Sequence, residues 1–130
     1  FSCSFFIYNI MRYNKYDLRK RELILQKDKR RCAYCGCKLT IDTLSIDHIE
    51  PLNRGTYFNK YELANLDNLN PCCQSCNSSK GNKSLEDWRL YLDELHYRLI
   101  NNNSQYKLMI RMGLIKEPKL FIFYFERIKR

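Results

Sequence analysis

Ile46-Asp47-His48-Ile49-Glu50-Pro51 is the stretch on which the reading of this chain turns. Leu44, Ile46 and His48 alternate with Ser45 and Asp47, the period of a strand. Pro51 follows and predicts that the strand stops near His48. On a regular strand Asp47 and His48 point to opposite faces, so an acid and a base this close serve one site only if the strand bends or ends. On either side stand Cys32-Ala-Tyr-Cys35-Gly36 and Cys73-Gln-Ser-Cys76-Asn77.

Two cysteines with two residues between them can both reach one tetrahedral ion at ~2.3 Å. The two pairs together predict a structural zinc held by Cys32, Cys35, Cys73 and Cys76. A closed four-thiolate site has no open coordination position, so this zinc builds the fold and does not catalyse. The chain has seven cysteines, an odd number, and no signal-peptide pattern opens it, so disulfides are the weaker alternative. Cys37 is read as a spare thiol. There is no run of eighteen or more apolar residues. No membrane partner is expected, and zinc thiolates fit a reducing, intracellular, cytoplasmic setting.

The net charge of +9 is unevenly spread. Residues 12–38 hold ten cations and three acids, and residues 107–130 hold seven and two. Between them, residues 39–106 hold six cations and nine acids. Two basic flanks around an acidic middle suit a polyanion outside and a cation site inside. Either the basic helix at 18–29 is a solvated face, or its Arg19, Lys20, Arg21, Lys27, Arg30 and Arg31 contact phosphates.

Asp17 is expected to cap that helix, Leu18 to Lys29. Leu39 to Ile49 reads as a hairpin turning at Asp42-Thr43. Residues 52–66 form a long connection carrying Arg54, Tyr57 and Lys60, and Asn68-Leu69-Asn70 returns as a short strand. Cys73 and Cys76 start a short helix that Lys80-Gly81 ends. Ser84, with Asp87 three residues on, caps an amphipathic helix with Leu85, Trp88, Leu92, Leu95 and Leu99 on its packing face. Asn101-Asn102-Asn103 breaks it, Ser104 caps a last helix to Met112, and Leu120 to Ile128 reads equally as strand or helix. The layout is an upstream or non-native segment (1–11), a basic N-terminal helix (12–31), a zinc core (32–83) and a C-terminal helical extension (84–130).

The run Cys32-Ala-Tyr-Cys35-Gly36, Ile46 to Pro51, Asn68-Leu69 and Cys73-Gln-Ser-Cys76-Asn77-Ser-Ser-Lys80-Gly81 resembles the HNH endonucleases of the ββα-metal fold, over about residues 28–90. The segment Lys80 to Trp88 looks closest to phage-type members. The resemblance implies an α+β fold: a ββα-metal core, a structural zinc and flanking helices. It implies a DNA endonuclease in which His48 is the general base and Asn68 orients the loop carrying it. Asp47 and Asn77 would hold a catalytic divalent metal. Their oxygen donors favour Mg²⁺ over zinc. Lys80 and Arg54 are candidate contacts to flanking phosphates. The chain departs from the pattern in having Gly55-Thr56 where a Gly pair is usual, and Asn as its third signature residue. A non-catalytic zinc ribbon that only binds nucleic acid is the competing class. It needs the cysteines and the basic flanks but not Asp47, His48 and Asn77 together. A protein-interaction module built on the 85–99 helix is a further alternative. The target site, strand preference, oligomeric state and biological role stay open.

Overall fold

The computed structural model describes residues 17–51, 65–116 and 121–128. Arg54, Tyr57, Lys60, Gly55 and residues 1–11 lie outside them. Helix α1 spans Leu18–Gln26, and the Asp17 side chain accepts from the Lys20 amide at 2.8 Å. It stops short of Lys29 because Lys29 and Arg30 both adopt left-handed φ, 56° and 58°. Ile24 and Leu25 are fully buried under the core.

The arm reading of this helix is corrected at Arg21, Lys27 and Arg31, whose side chains are engaged within the fold. Arg21 is 6% exposed, and its guanidinium donates to the carbonyls of Ile41 and Leu44 at 3.0 and 3.1 Å. The Lys27 ammonium donates to the carbonyls of Leu66 and Leu69 at 3.0 and 2.7 Å. Arg30 pairs with Glu22, and Arg31 donates to the Gly36 carbonyl. Buried carbonyls need donors, and these cations supply them where the chain turns. The helix clamps two loops.

Strands β1 (Ser45–His48) and β2 (Leu69–Cys72) pair antiparallel, with Asp47 opposite Asn70 and His48 opposite Leu69. A short 3-10 turn, Leu66–Asn68, leads into β2. The expected hairpin within 39–49 does not form; the partner of β1 comes from beyond the long connection. Thr40 and Thr43 bond each other's backbone through their hydroxyls, and the Leu44 amide closes onto the Thr40 carbonyl. Residues 40–44 are therefore consumed by a turn rather than extended.

Helix α2 covers Gln74–Lys80 and packs against β1, completing a ββα unit. Gly81 caps its end at φ 53°. Helix α3 spans Leu85–Asn102 and is capped by Ser84, whose hydroxyl accepts from the Asp87 amide. Helix α4 spans Ser104–Arg111, but its cap is Asn103 and not Ser104: the Asn103 amide oxygen accepts from Tyr106 N. The stripe on α3 is less buried than its spacing predicts. Trp88 alone on that helix is fully buried; Leu85 and Leu92 pack at the core's edge.

The segment at 121–128 is neither a strand nor a long helix. It runs extended to Phe123 and then makes one turn, α5 (Tyr124–Arg127). The Tyr124 and Phe125 amides donate to the carbonyls of Tyr34 and Ala33. Phe123 enters the core against Tyr34 and Trp88, with ring centroids 5.4 and 5.2 Å away. Gly36 is required there on two counts: its φ is 79°, and a Cβ would meet the Tyr124 ring at 2.8 Å. The C-terminal end thus straps the first cysteine turn. Among the described residues no helix is long and apolar enough to cross a membrane.

Candidate functional site

The two cysteine pairs meet. The Sγ atoms of Cys32, Cys35, Cys73 and Cys76 all lie within 4.8 Å of one another. Cys35 and Cys73 are 3.9 Å apart. A regular tetrahedron with bonds of ~2.3 Å has edges of about 3.8 Å, so the thiols stand close to the spacing a single ion requires. All six described cysteines are free thiols, and Cys37 and Cys72 fall outside the cluster. The Cys76 thiol donates to Cys32 and pushes the Cys32 thiol well below the ordinary thiol range. Cys73 also caps α2, its sulfur accepting from the Cys76 amide. The cluster therefore ties the turn at 32–36 to the start of α2.

From this anchored end β1 runs outward to His48, its last residue. His48 is half-buried. Asn68 holds the residues that follow it. Its side-chain oxygen accepts from the Glu50 amide at 2.8 Å, its Nδ2 donates to the Glu50 carbonyl at 3.4 Å, and its own carbonyl accepts from Ile49 N at 2.9 Å. The turn after His48 is thereby fixed on both its polar edges. Asn77 lies in α2, one residue beyond Cys76 and half-buried.

Asp47 sits differently. It is 4% exposed and turned inward, as strand alternation requires. Its carboxylate accepts from the Tyr34 hydroxyl on one oxygen. The Lys80 ammonium stands 3.1 Å from each of its two oxygens and 2.9 Å from the His48 carbonyl. Asn70 Nδ2 donates to the Tyr34 oxygen at 3.4 Å. Burial pushes the Asp47 carboxyl up, opposed by the Tyr34 hydrogen bond and the Lys80 charge. Burial likewise pushes the Tyr34 hydroxyl up, helped by the Asp47 charge beside it. Lys80 is fully buried, which removes it from the candidate phosphate contacts.

Tyr34 and Asn70 are site residues that sequence reasoning missed, and Lys80 was read as a phosphate contact and not as the partner of Asp47. One signal was available for Lys80. It lies three residues after Asn77, so the two share a face of α2. Nothing in the spacing marks Tyr34 except its place inside the cysteine turn. The donor set of Asp47 carboxylate and Asn77 amide is chemically suited to a hard divalent ion. Both Asp47 oxygens, however, already hold partners.

The HNH endonuclease family model matches residues 32–83. Residues 32–83 are thus similar to the HNH endonucleases. Over 64 residues the chain is 36% identical to the CRISPR-associated endonuclease Cas9 of Corynebacterium diphtheriae, a match covering 49% of this chain and 5% of that protein. The Type II-C Cas9 enzyme from Actinomyces naeslundii aligns with 79% of this chain and 13% of its own, at 25% identity and a TM-score of 0.48. The chain thus spans a small part of each of these relatives. The Corynebacterium relative is a Cas9, and it lends no support to the phage-type likeness read from Lys80 to Trp88.

Proposed function

We propose that this HNH core hydrolyses DNA phosphodiester bonds. His48 is the general base, Asn68 the residue that fixes its loop, and Asn77 and Asp47 the oxygen donors to a divalent metal, Mg²⁺ by their chemistry. Zinc at the four cysteines is structural. The observation that carries this reading is the grip of Asn68 on Ile49 and Glu50. A loop carrying a general base needs its backbone fixed, and a residue that only packs has no reason to bond both polar groups of one exposed residue. The match of residues 32–83 to the HNH endonuclease model supports it independently.

In this reading His48 takes a proton from the attacking water. A bound divalent ion supplies charge stabilisation at the phosphate and the leaving oxygen. The basic segments outside the core draw the DNA in, and the reducing cytoplasm suits the thiolates.

The experiment is nicking of supercoiled plasmid with Mg²⁺, zinc or chelator, by the wild type and His48→Ala. A general base contributes ~10²–10⁴-fold, so His48→Ala should lose that much single-turnover rate while keeping zinc, fold and DNA affinity. A folded His48→Ala protein that cuts at the wild-type rate would make the nucleic-acid-binding zinc ribbon the better reading.

A further inference from the structure

The Lys80 ammonium occupies an unusual place. Both oxygens of Asp47 lie 3.1 Å from Nζ, and the His48 carbonyl lies 2.9 Å from it. Three oxygens from two consecutive residues thus converge on one positive centre. The side chain is fully buried, although lysine is among the residues least often found inside. Removing two charges from water costs more than their attraction usually returns, so a buried ion pair is weak evidence for stability alone. The pair includes the residue next to the one read as the base, and the Tyr34 hydroxyl, itself accepting from Asn70, donates to Asp47 as well.

We propose that Lys80 is a built-in cation at Asp47, with which a divalent ion must compete for the carboxylate, so that Lys80 sets the metal requirement of the site. The inference rests on the reading of Asp47 as a metal donor. The ammonium sits between the two oxygens, where a doubly charged ion chelated by the carboxylate would sit. Two cations at that spacing repel strongly in a buried setting. For the ion to bind, the Lys80 head must withdraw from Asp47, and the His48 carbonyl gives it a second acceptor on which to remain. With no ion present, the same ion pair neutralises Asp47 and holds the end of β1 together. The site is thereby preformed without metal, at the expense of metal affinity.

The test uses the zinc-loaded 130-residue chain, without DNA. Thermal unfolding is followed against Mg²⁺ and Mn²⁺ concentration for the wild type, Lys80→Met and the double variant Asp47→Asn/Lys80→Met. Lys80→Met leaves Asp47 as an uncompensated buried charge, so its unfolding temperature without added metal should drop. Added metal should then restore it, with a half-saturating concentration at least ~10-fold below that of the wild type, because a like charge beside the ion is gone. The double variant should show no metal response. If Lys80→Met does not fold without metal, refolding on metal addition is the readout, and failure to refold overturns the proposal. Equal half-saturation in wild type and Lys80→Met overturns it as well, as does a metal response that persists in the double variant. None of these outcomes depends on DNA cleavage. A negative result here leaves the His48 assignment standing, and an inactive His48 site leaves this result standing.

Discussion

Helix α1 and helix α4 carry comparable sequences and end in opposite settings. Both are short, basic and sprinkled with aliphatic residues. On α1, Ile24 and Leu25 are fully buried and Arg21 and Lys27 reach across to four carbonyls. On α4 no residue is buried, and Leu108 and Met109 stay 45% and 40% exposed. The difference comes from the neighbours. Turn 40–44 and the 3-10 turn leading into β2 present carbonyls to α1, which lies against them. Helix α4 packs on α3, whose backbone is already satisfied within its own helix. A run of cations in sequence therefore says little about a partner until the nearby acceptors are known.

The largest way to break this comparison is through the cysteines. They fasten the same body that α1 clamps, whereas α4 lies outside it. Binding of a structural zinc is worth ~10–16 kcal/mol in small zinc domains, as large as or larger than the usual margin of stability. Cys73→Ser should lose the metal and with it the protection of α1, β1 and β2 amides from hydrogen exchange. Cys37→Ser should lose neither, because its thiol is not in the cluster. Metal analysis of folded wild-type protein showing no zinc would end the four-cysteine assignment.

Arg21→Met is the next largest change. It keeps most of the side-chain volume and removes the hydrogen bonds to the Ile41 and Leu44 carbonyls. Hydrogen bonds from charged donors contribute roughly 1.5–3 kcal/mol each, and the stranded carbonyls add a penalty. A drop of at least ~3–6 kcal/mol in denaturant unfolding is expected. Arg19→Met, at an exposed position two residues earlier, should change stability by less than ~0.5 kcal/mol. Equal effects of the two substitutions would show that the clamp is not what holds α1 down.

What the sequence made legible follows from the same contrast. The cysteine cluster, the end of β1 at His48, the caps Asp17 and Ser84, and the stop at Gly81 rest on short-range spacing or local chemistry, and the structure bears them out. The roles of Arg21, Lys27 and Lys80 rest on partners 20 to 42 residues away, which no local pattern records. The hairpin expected at 39–49 failed for the same reason. Alternation announces a strand, but whether the strand pairs with its own upstream neighbour or with Leu69–Cys72 depends on the Thr40–Thr43 turn and on where α2 lies. Asp47 was legible as a carboxylate beside a base. That it faces Tyr34 and Lys80, away from the His48 side, became visible only once the strand had two sides.

The smallest effect sharpens the comparison from the other end. Lys107 and Arg111 stand exposed on α4, and together with the rest of residues 107–130 they make that flank basic. If the basic flanks serve DNA, these cations act by displacing counterions from phosphates. Each phosphate left without its cation should flatten the plot of log affinity against log salt by ~0.9. The double substitution Lys107→Gln and Arg111→Gln should therefore lower the slope by up to ~1.8 while leaving the unfolding temperature in place. Arg21→Met, measured where it is still folded, should do the reverse: less stability, unchanged slope. The readout is fluorescence-anisotropy titration of a labelled duplex at several salt concentrations, on zinc-loaded protein with no added Mg²⁺ so that no cleavage intervenes. An unchanged slope for the α4 pair would mean that its cations face only water, and that the DNA is held by other basic residues of the chain.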